Sequence, residues 1–341
     1  MLNSIINGLK LGILIIGTTI GAGFASGREV WEFFSSYGVK STTGIFIFMA
    51  INTITSICIV SISYKHKTSN YYELLVVIMG RKLAKIFDIV IFFYLLSVSV
   101  VMFAGSGATL EQWNFPFVIG IIVLAIAIWI IIISGVEGLI KINVLFIPLL
   151  LIVILYVTYQ YVFLIPNYSG GHIRSNLKVW PSAITYSALN AISLLGVLST
   201  IGNKIKSRIE IFIGGIFGGL SLGVVALMLN LSILKVEYVQ QYEIPLFSLI
   251  SKDKMFLLLI ASITIWLAIY TTALSNIYSL VTRIQNRWTN LSTSKITFII
   301  ILIIAPLSFF GFSILVNILY PLYGVISLYL MATILLYPFQ N

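Results

Sequence analysis

Charge is scarce in this 341-residue chain: Asp, Glu, Lys and Arg together make up 9% of it, against 60% hydrophobic residues and a mean hydropathy of +1.09. A water-soluble fold of this size has too little polar surface to cover so much apolar side chain, which excludes a soluble globular protein. Histidine is nearly missing, present only as His66 and His172, and aspartate occurs only as Asp88 and Asp253. Membrane acyltransferases, proteases and glycosyltransferases need histidines, paired acids or a metal cluster at the membrane edge. Here the two histidines fall on opposite expected sides of the membrane, and Asp88 is expected to sit beside Lys82 or Lys85, so an enzyme is not expected. No GxxxxGK[ST] stretch exists to cradle a nucleotide. The lone cysteine, Cys58, lies within an apolar run, so no intramolecular disulfide forms and no cofactor chemistry is implied.

What the chain does have is length in apolar runs. A spanning helix needs about 20 mostly apolar residues, and ten candidates follow one another: 6–36 (interrupted), 43–64, 83–110, 115–134, 138–163, 181–202, 209–234, 254–283, 295–310 and 314–337. Hydrocarbon leaves backbone groups unsatisfied unless they pair internally, and runs this long are helices, not barrel strands. The expected class is therefore an all-α integral membrane protein in a single transmembrane domain spanning residues 1–341, with its N-terminal apolar stretch retained as the first span. The net charge of +10 is read as a membrane-orientation signal, with no nucleic-acid partner. With the N-terminus inside, Lys10, Lys65, Lys67, Arg81, Lys82, Lys85, Lys141, Lys204, Lys206, Arg208, Arg283, Arg287 and Lys295 are cytoplasmic, 13 of the 20 basic residues. Both termini are then cytoplasmic.

The halves 6–163 and 181–337 match in plan. The third span of each is long, the fourth short, and the first carries small or polar residues in mid-membrane: GTTIGAGFASG in one, YSALNAISLLG in the other. Five spans per half force the second half upside down relative to the first. In span 7, Gly215, Gly219 and Gly223 fall four apart and read as a close-packing face. The amphipathic stretch 235–254 reads as a short cap on the outer surface.

The stretch GTTIGAGFASGREVWEFF, residues 17–34, carries the strongest signal. A helix broken at Gly21, Ala22 and Gly23 exposes carbonyls of an inner half-helix and amides of an outer one, suited to a cation and an anion respectively. Ser26 suits an N-cap for the outer half, with Glu29 three residues on as in a capping box. Arg28 and Glu32 are spaced to pair along that half.

IGAGFASGREVWEFF resembles the signature of the YkvI-like family of bacterial membrane proteins, and its G-A-G in a first span resembles the amino acid-polyamine-organocation transporter superfamily with the LeuT fold. That resemblance implies a 5+5 inverted repeat with discontinuous helices 1 and 6 and substrate held between them. On it, Gly21, Ala22, Gly23 and Phe24 of span 1, Tyr94 of span 3, and Ser187, Asn190 and Ser193 of span 6 are the candidate substrate-binding residues. It also implies a sodium site made of the Gly17 and Ile20 carbonyls with the A-x-x-T-[ST] element Ala268, Thr271 and Thr272 of span 8. The chemistry is sound in its own right, because a carbonyl at i with hydroxyls at i+3 and i+4 presents hard oxygens on one helix face. Threonines in such helices also bond the carbonyl a turn back. Sodium-dependent neurotransmitter transporters place an acid in span 10 opposite a gating arginine. Span 10 here has none, so Glu32 or Glu111 would have to substitute. Arg28, Glu29 and Glu32 are gate candidates, with solvated rim charges or a proton on Glu29 as alternatives.

The expectation is a secondary active transporter in the bacterial inner membrane that moves a small-molecule substrate, an amino acid or related zwitterion, with Na+ as coupling ion. The alternatives are proton coupling, or a ligand-sensing receptor subunit on the same fold, as in spore germinant receptors.

Overall fold

The computed structural model describes residues 2–134, 139–164, 174, 176–251, 253–287 and 291–340; His172 lies outside them, as does the side chain of Lys141. Among the described residues the chain is helical throughout. Its helices are α1 (Leu2–Thr19), α2 (Ala22–Ala25), α3 (Arg28–Phe33), α4 (Ser41–His66), α5 (Tyr71–Glu111), α6 (Phe117–Ser134), α7 (Leu139–Leu164), α8 (Trp180–Leu198), α9 (Arg208–Ile233), α10 (Pro245–Ser248), α11 (Met255–Arg287), α12 (Thr293–Leu307) and α13 (Phe312–Gln340). Eight of the helical stretches are long and apolar enough to cross a membrane, and the shorter apolar helices 117–133 and 148–163 stand where the fourth and fifth spans were expected. The chain is a multi-pass membrane protein with ten spans in the expected order.

The helices pack in two groups. α9 lies against α1 and α4, and α4 continues onto α8; α5 packs on α6 and α11, and α11 on α12. α13 leans on α8 and α5, and α7 on α11 and α9, so both bridge the groups.

Lipid tails are as apolar as leucine, so helices in a membrane associate through close fit more than through the hydrophobic effect. α9 achieves that fit with glycine on two faces. Gly214 and Gly218 meet Leu11 and Ile15 of α1, while Gly215, Gly219 and Gly223 meet Ile57, Thr53 and Met49 of α4. A Cβ on any of the five would overlap its neighbour, so the packing role read from their spacing holds.

Two details differ from expectation. The sixth span is one unbroken helix, α8, tightening into a 3-10 turn at Ser199–Ile201. The expected discontinuity is not there because its polar residues bond within the helix: Ser187 Oγ donates to Ala183 O (2.8 Å) and Asn190 Nδ2 to Tyr186 O (2.8 Å). The third span begins early, at Tyr71, and changes direction at Gly80 (φ 75°), where the left-handed backbone favours glycine.

Candidate functional site

The site forms where α1 stops. Gly21 is extended (φ −92°, ψ −176°), and its N–H turns back to Thr19 O (3.0 Å), so the Gly17 carbonyl loses the donor that a continuing helix would give it. The Ile20 carbonyl likewise accepts no backbone hydrogen bond. A single turn, α2, follows. Gly27 then takes the left-handed conformation (φ 77°) that lets α3 start in a new direction. Ser26 closes α2 and does not N-cap α3: its hydroxyl donates to Gly23 O (2.8 Å) and accepts from Arg28 N–H (3.2 Å). Within the stretch 235–254, α10 docks on the break through Leu246 N–H to Ser26 O (2.8 Å).

The break faces α11. Thr272 Oγ1 lies 4.0 Å from where a Gly21 side chain would begin. Along α11 the hydroxyls of Ser262, Thr264, Ser275, Ser279 and Thr282 bond the carbonyl one turn back, and Thr271 reaches Ala268 O at 3.2 Å. Thr272 makes no such bond, so its hydroxyl is available toward the open end of α1. Three of the expected cation ligands, Gly17 and Ile20 through their carbonyls and Thr272 through its hydroxyl, therefore have no hydrogen-bond partner among the described residues. Ala268 and Thr271 are partly engaged with each other.

Glu29 is the one acid turned into the break. It is 8% exposed; Oε2 accepts the Tyr186 hydroxyl (2.6 Å), and Oε1 lies so close to Gly23 that a side chain there would overlap it. The capping box with Ser26 does not form, because the carboxylate reaches across to α8 instead. Tyr186 is fully buried among Phe33, Phe34 and Phe48, with ring centroids 4.8–5.3 Å away, which fixes its hydroxyl.

Tyr94 binds Ser193 (2.9 Å between hydroxyl oxygens) and its ring stands edge-on to Tyr323, so α5, α8 and α13 meet at one level. Ala22, Gly23 and Phe24 are buried in the break, whereas Ser187 and Asn190 each bond the carbonyl four residues back in their own helix. Three further buried groups escaped notice in the sequence: Thr19 Oγ1, the side-chain amide of Asn52 and Thr55 Oγ1 have no hydrogen-bond partner. Their residue types are too common in membrane helices to stand out.

Outside this core sits a charged layer. Arg28 and Glu32 pair at 3.9 Å as their spacing predicts, and Arg28 Nη1 donates to Tyr242 O (3.4 Å). The acid missing from span 10 is replaced by a second arginine: Arg174 binds Glu32 Oε1 (2.6 Å) and Glu32 O (2.8 Å), and its own N–H holds Ser36 O (2.8 Å). Glu111 is exposed and makes no ion pair among the described residues. Asp88 pairs across helices with Arg283 of α11, not with Lys82 or Lys85, and accepts the Tyr71 hydroxyl (2.9 Å). A 470 Å³ cavity opens beside that pair, but its remaining walls are Leu, Ile and Phe and it includes none of the break residues.

No protein-family model matches the chain. It is 35% identical over 337 residues to the uncharacterized protein YyaD of Bacillus subtilis (strain 168), covering 97% of each chain. It is 29% identical over 329 residues to the uncharacterized membrane protein YkvI of the same bacterium, covering 94% of this chain and 92% of the other. Among solved structures, a mutant of the Eremococcus coleocola manganese transporter superposes with a TM-score of 0.67 at 12% identity, over 98% of this chain and 78% of that one. MhsT in complex with L-phenylalanine superposes with a TM-score of 0.61 at 13% identity, over 95% and 88%. The architecture is thereby the LeuT fold.

Proposed function

Since the chain belongs to the family of YyaD and YkvI of Bacillus subtilis, we propose that it is a secondary active transporter of the bacterial cell membrane, with both termini cytoplasmic. It moves a small organic solute, an amino acid or related zwitterion, together with sodium by alternating access. The observation that carries this reading is the end of α1, where the Gly17 and Ile20 carbonyls accept no backbone hydrogen bond and the uncommitted Thr272 hydroxyl lies beside Gly21. Hard oxygens without hydrogen-bond partners suit a small cation of low charge. Of the amides beside them the Gly21 N–H bonds Thr19 O, while those of Ala22 and Gly23 have no backbone acceptor among the described residues and would receive a solute carboxylate.

Of the solved structures of the same fold, one is a manganese transporter and another is MhsT in complex with L-phenylalanine. Transition metals favour imidazole, thiolate or clustered carboxylate ligands, and no group of three or more His, Cys, Asp or Glu occurs among the described residues. That favours the organic solute.

In operation, sodium between α1 and α11 would tie the two helix groups together, and solute at the break would complete the contact. Rocking of α1, α4, α8 and α9 against α5, α6, α11 and α12 then exposes the site to each side in turn. The test is uptake into proteoliposomes over an amino acid panel with and without a sodium gradient. Sodium-driven accumulation of at least one solute, lost in Thr272→Ala while the variant still inserts and folds, is the expected result. Binding without accumulation would indicate a receptor, and accumulation driven only by a proton gradient would remove the sodium assignment.

A further inference from the structure

Glu29 has a property that the sodium-symport reading leaves unused. Its carboxylate is buried, aimed into the break, and held by one neutral donor, the Tyr186 hydroxyl. Its neighbours in charge are all committed elsewhere: Arg28 to Glu32 and Tyr242 O, Arg174 to Glu32 and Ser36, Arg283 to Asp88. Among the described residues no cation pairs with it. A carboxylate withdrawn from water with a single hydrogen bond is strongly unfavourable unless it takes up a proton or a cation joins it.

The surroundings narrow what that is. Tyr186 touches the carboxylate, and Tyr94, which binds Ser193 of the same helix as Tyr186, stands edge-on to Tyr323. A buried carboxylate with a tyrosine beside it offers the charge and the aromatic surroundings that receive an ammonium group. Glu29 Oε1 also rests on Gly23, in the place where a solute carboxylate would seek the exposed amides. Two carboxylates there repel each other unless an amine lies between them.

We infer that Glu29 is the counter-ion of the transported solute, so that the site takes a protonated amine and prefers solutes of net positive charge to neutral zwitterions. Tyr186 is a positioning residue, fixing the carboxylate through its hydroxyl. This rests on the transporter reading for the word transported, but the binding claim stands apart from it.

The matched probes are L-lysine, cadaverine, which is lysine without its carboxylate, and L-norleucine, which is the same skeleton without the side-chain amine. Titrated by calorimetry into the purified full-length protein, lysine and cadaverine are expected to bind, with norleucine at least tenfold weaker. Glu29→Gln is expected to weaken lysine and cadaverine at least tenfold, with the control Glu73→Gln, at an exposed surface position, unchanged. Should Glu29→Gln fail to fold, Glu29→Asp keeps the charge and is expected to retain the order of lysine over norleucine. Tyr186→Phe is expected to reduce lysine affinity without reversing that order.

Norleucine binding as tightly as lysine, undiminished cation binding in Glu29→Gln, or binding of none of the three overturns the inference. Cation binding that depends on Glu29 without sodium-driven accumulation overturns the transporter reading and leaves this one standing.

Discussion

Arg174→Ala separates the outer charged layer from the binding core. Arg174 makes two charge-assisted contacts to Glu32 and a backbone bond to Ser36, and it is the only residue outside the first span that holds the Glu32 carboxylate in the described structure. Glu32 is 4% exposed, but the Arg174 side chain is 31% exposed, so solvent screens part of the attraction. Hydrogen bonds to charged groups contribute about 1.5–3 kcal/mol each when well shielded; with screening, the pair together amounts to about 2 kcal/mol. If that energy is spent holding the outer side shut, its loss shifts the closed-to-open ratio roughly 30-fold. The lone cysteine, Cys58, makes the assay direct. In a Cys58→Ser background, Ser187→Cys places a reporter one residue past Tyr186, at a position 1% exposed behind the charged layer. Labelling by a membrane-impermeant thiol reagent is expected to accelerate by that factor when Arg174→Ala is added. Glu32→Gln removes more, because Arg28, 5% exposed, is left with only a 3.4 Å carbonyl contact. Breaking a buried pair from one side costs about 3–5 kcal/mol, so this variant should also lower the unfolding temperature. Unchanged labelling in Arg174→Ala would refute the gate.

Other perturbations test other parts of the argument. Gly219→Leu drives a side chain into Thr53 of α4 and is expected to destabilise the detergent-solubilised protein by about 1–3 kcal/mol. Gly196→Ala, with nothing within 4 Å of its would-be Cβ, is expected to be neutral or slightly stabilising by the same thermal unfolding measurement. Gly23→Ala displaces the Glu29 carboxylate from Tyr186; solute affinity should fall about tenfold or more, since the lost bond is charge-assisted. Asp88→Asn leaves Arg283 without its carboxylate. Both side chains are 20% exposed, so a loss of about 1–2 kcal/mol is expected in unfolding, with sodium dependence intact.

The ten spans, their order and the break at Gly21 were legible in the sequence because they follow from local composition: apolar length makes a span, and bare glycines with polar neighbours open one. The Arg28 to Glu32 pair was legible because helical spacing is a local rule. What escaped depends on partners far along the chain. Glu29 and Ser26 have capping-box spacing, yet Tyr186, 157 positions away, captures the carboxylate. Arg174 lies 142 positions from Glu32, in a stretch with no motif to mark it. The unbroken α8 misled for the opposite reason. The discontinuity was implied by the family resemblance, but the polar Ser187 and Asn190 can each bond the carbonyl four residues back, and each does.

That asymmetry between α1 and α8 bears on how the site works. A break in one helix alone leaves α8 as a stiff rod whose buried Tyr186 presents a hydroxyl at a fixed place, while α1 supplies the bare backbone and the charge. Glycine at residue 23 is then required twice, once so that solute can approach the amides and once so that Glu29 can fold back against Gly23. The charges just beyond the glycines have divided tasks. Glu29, facing inward, has no basic partner and belongs to the solute, whereas Arg28 and Glu32, facing outward, are tied to Tyr242, Arg174 and Ser36 and belong to the closure. Because both sets ride on the six-residue helix α3, any rotation of that helix that breaks the outer pairs also moves Glu29 relative to Tyr186. On the proposed function, opening the charged layer and loosening the grip on a cationic solute would therefore be one motion.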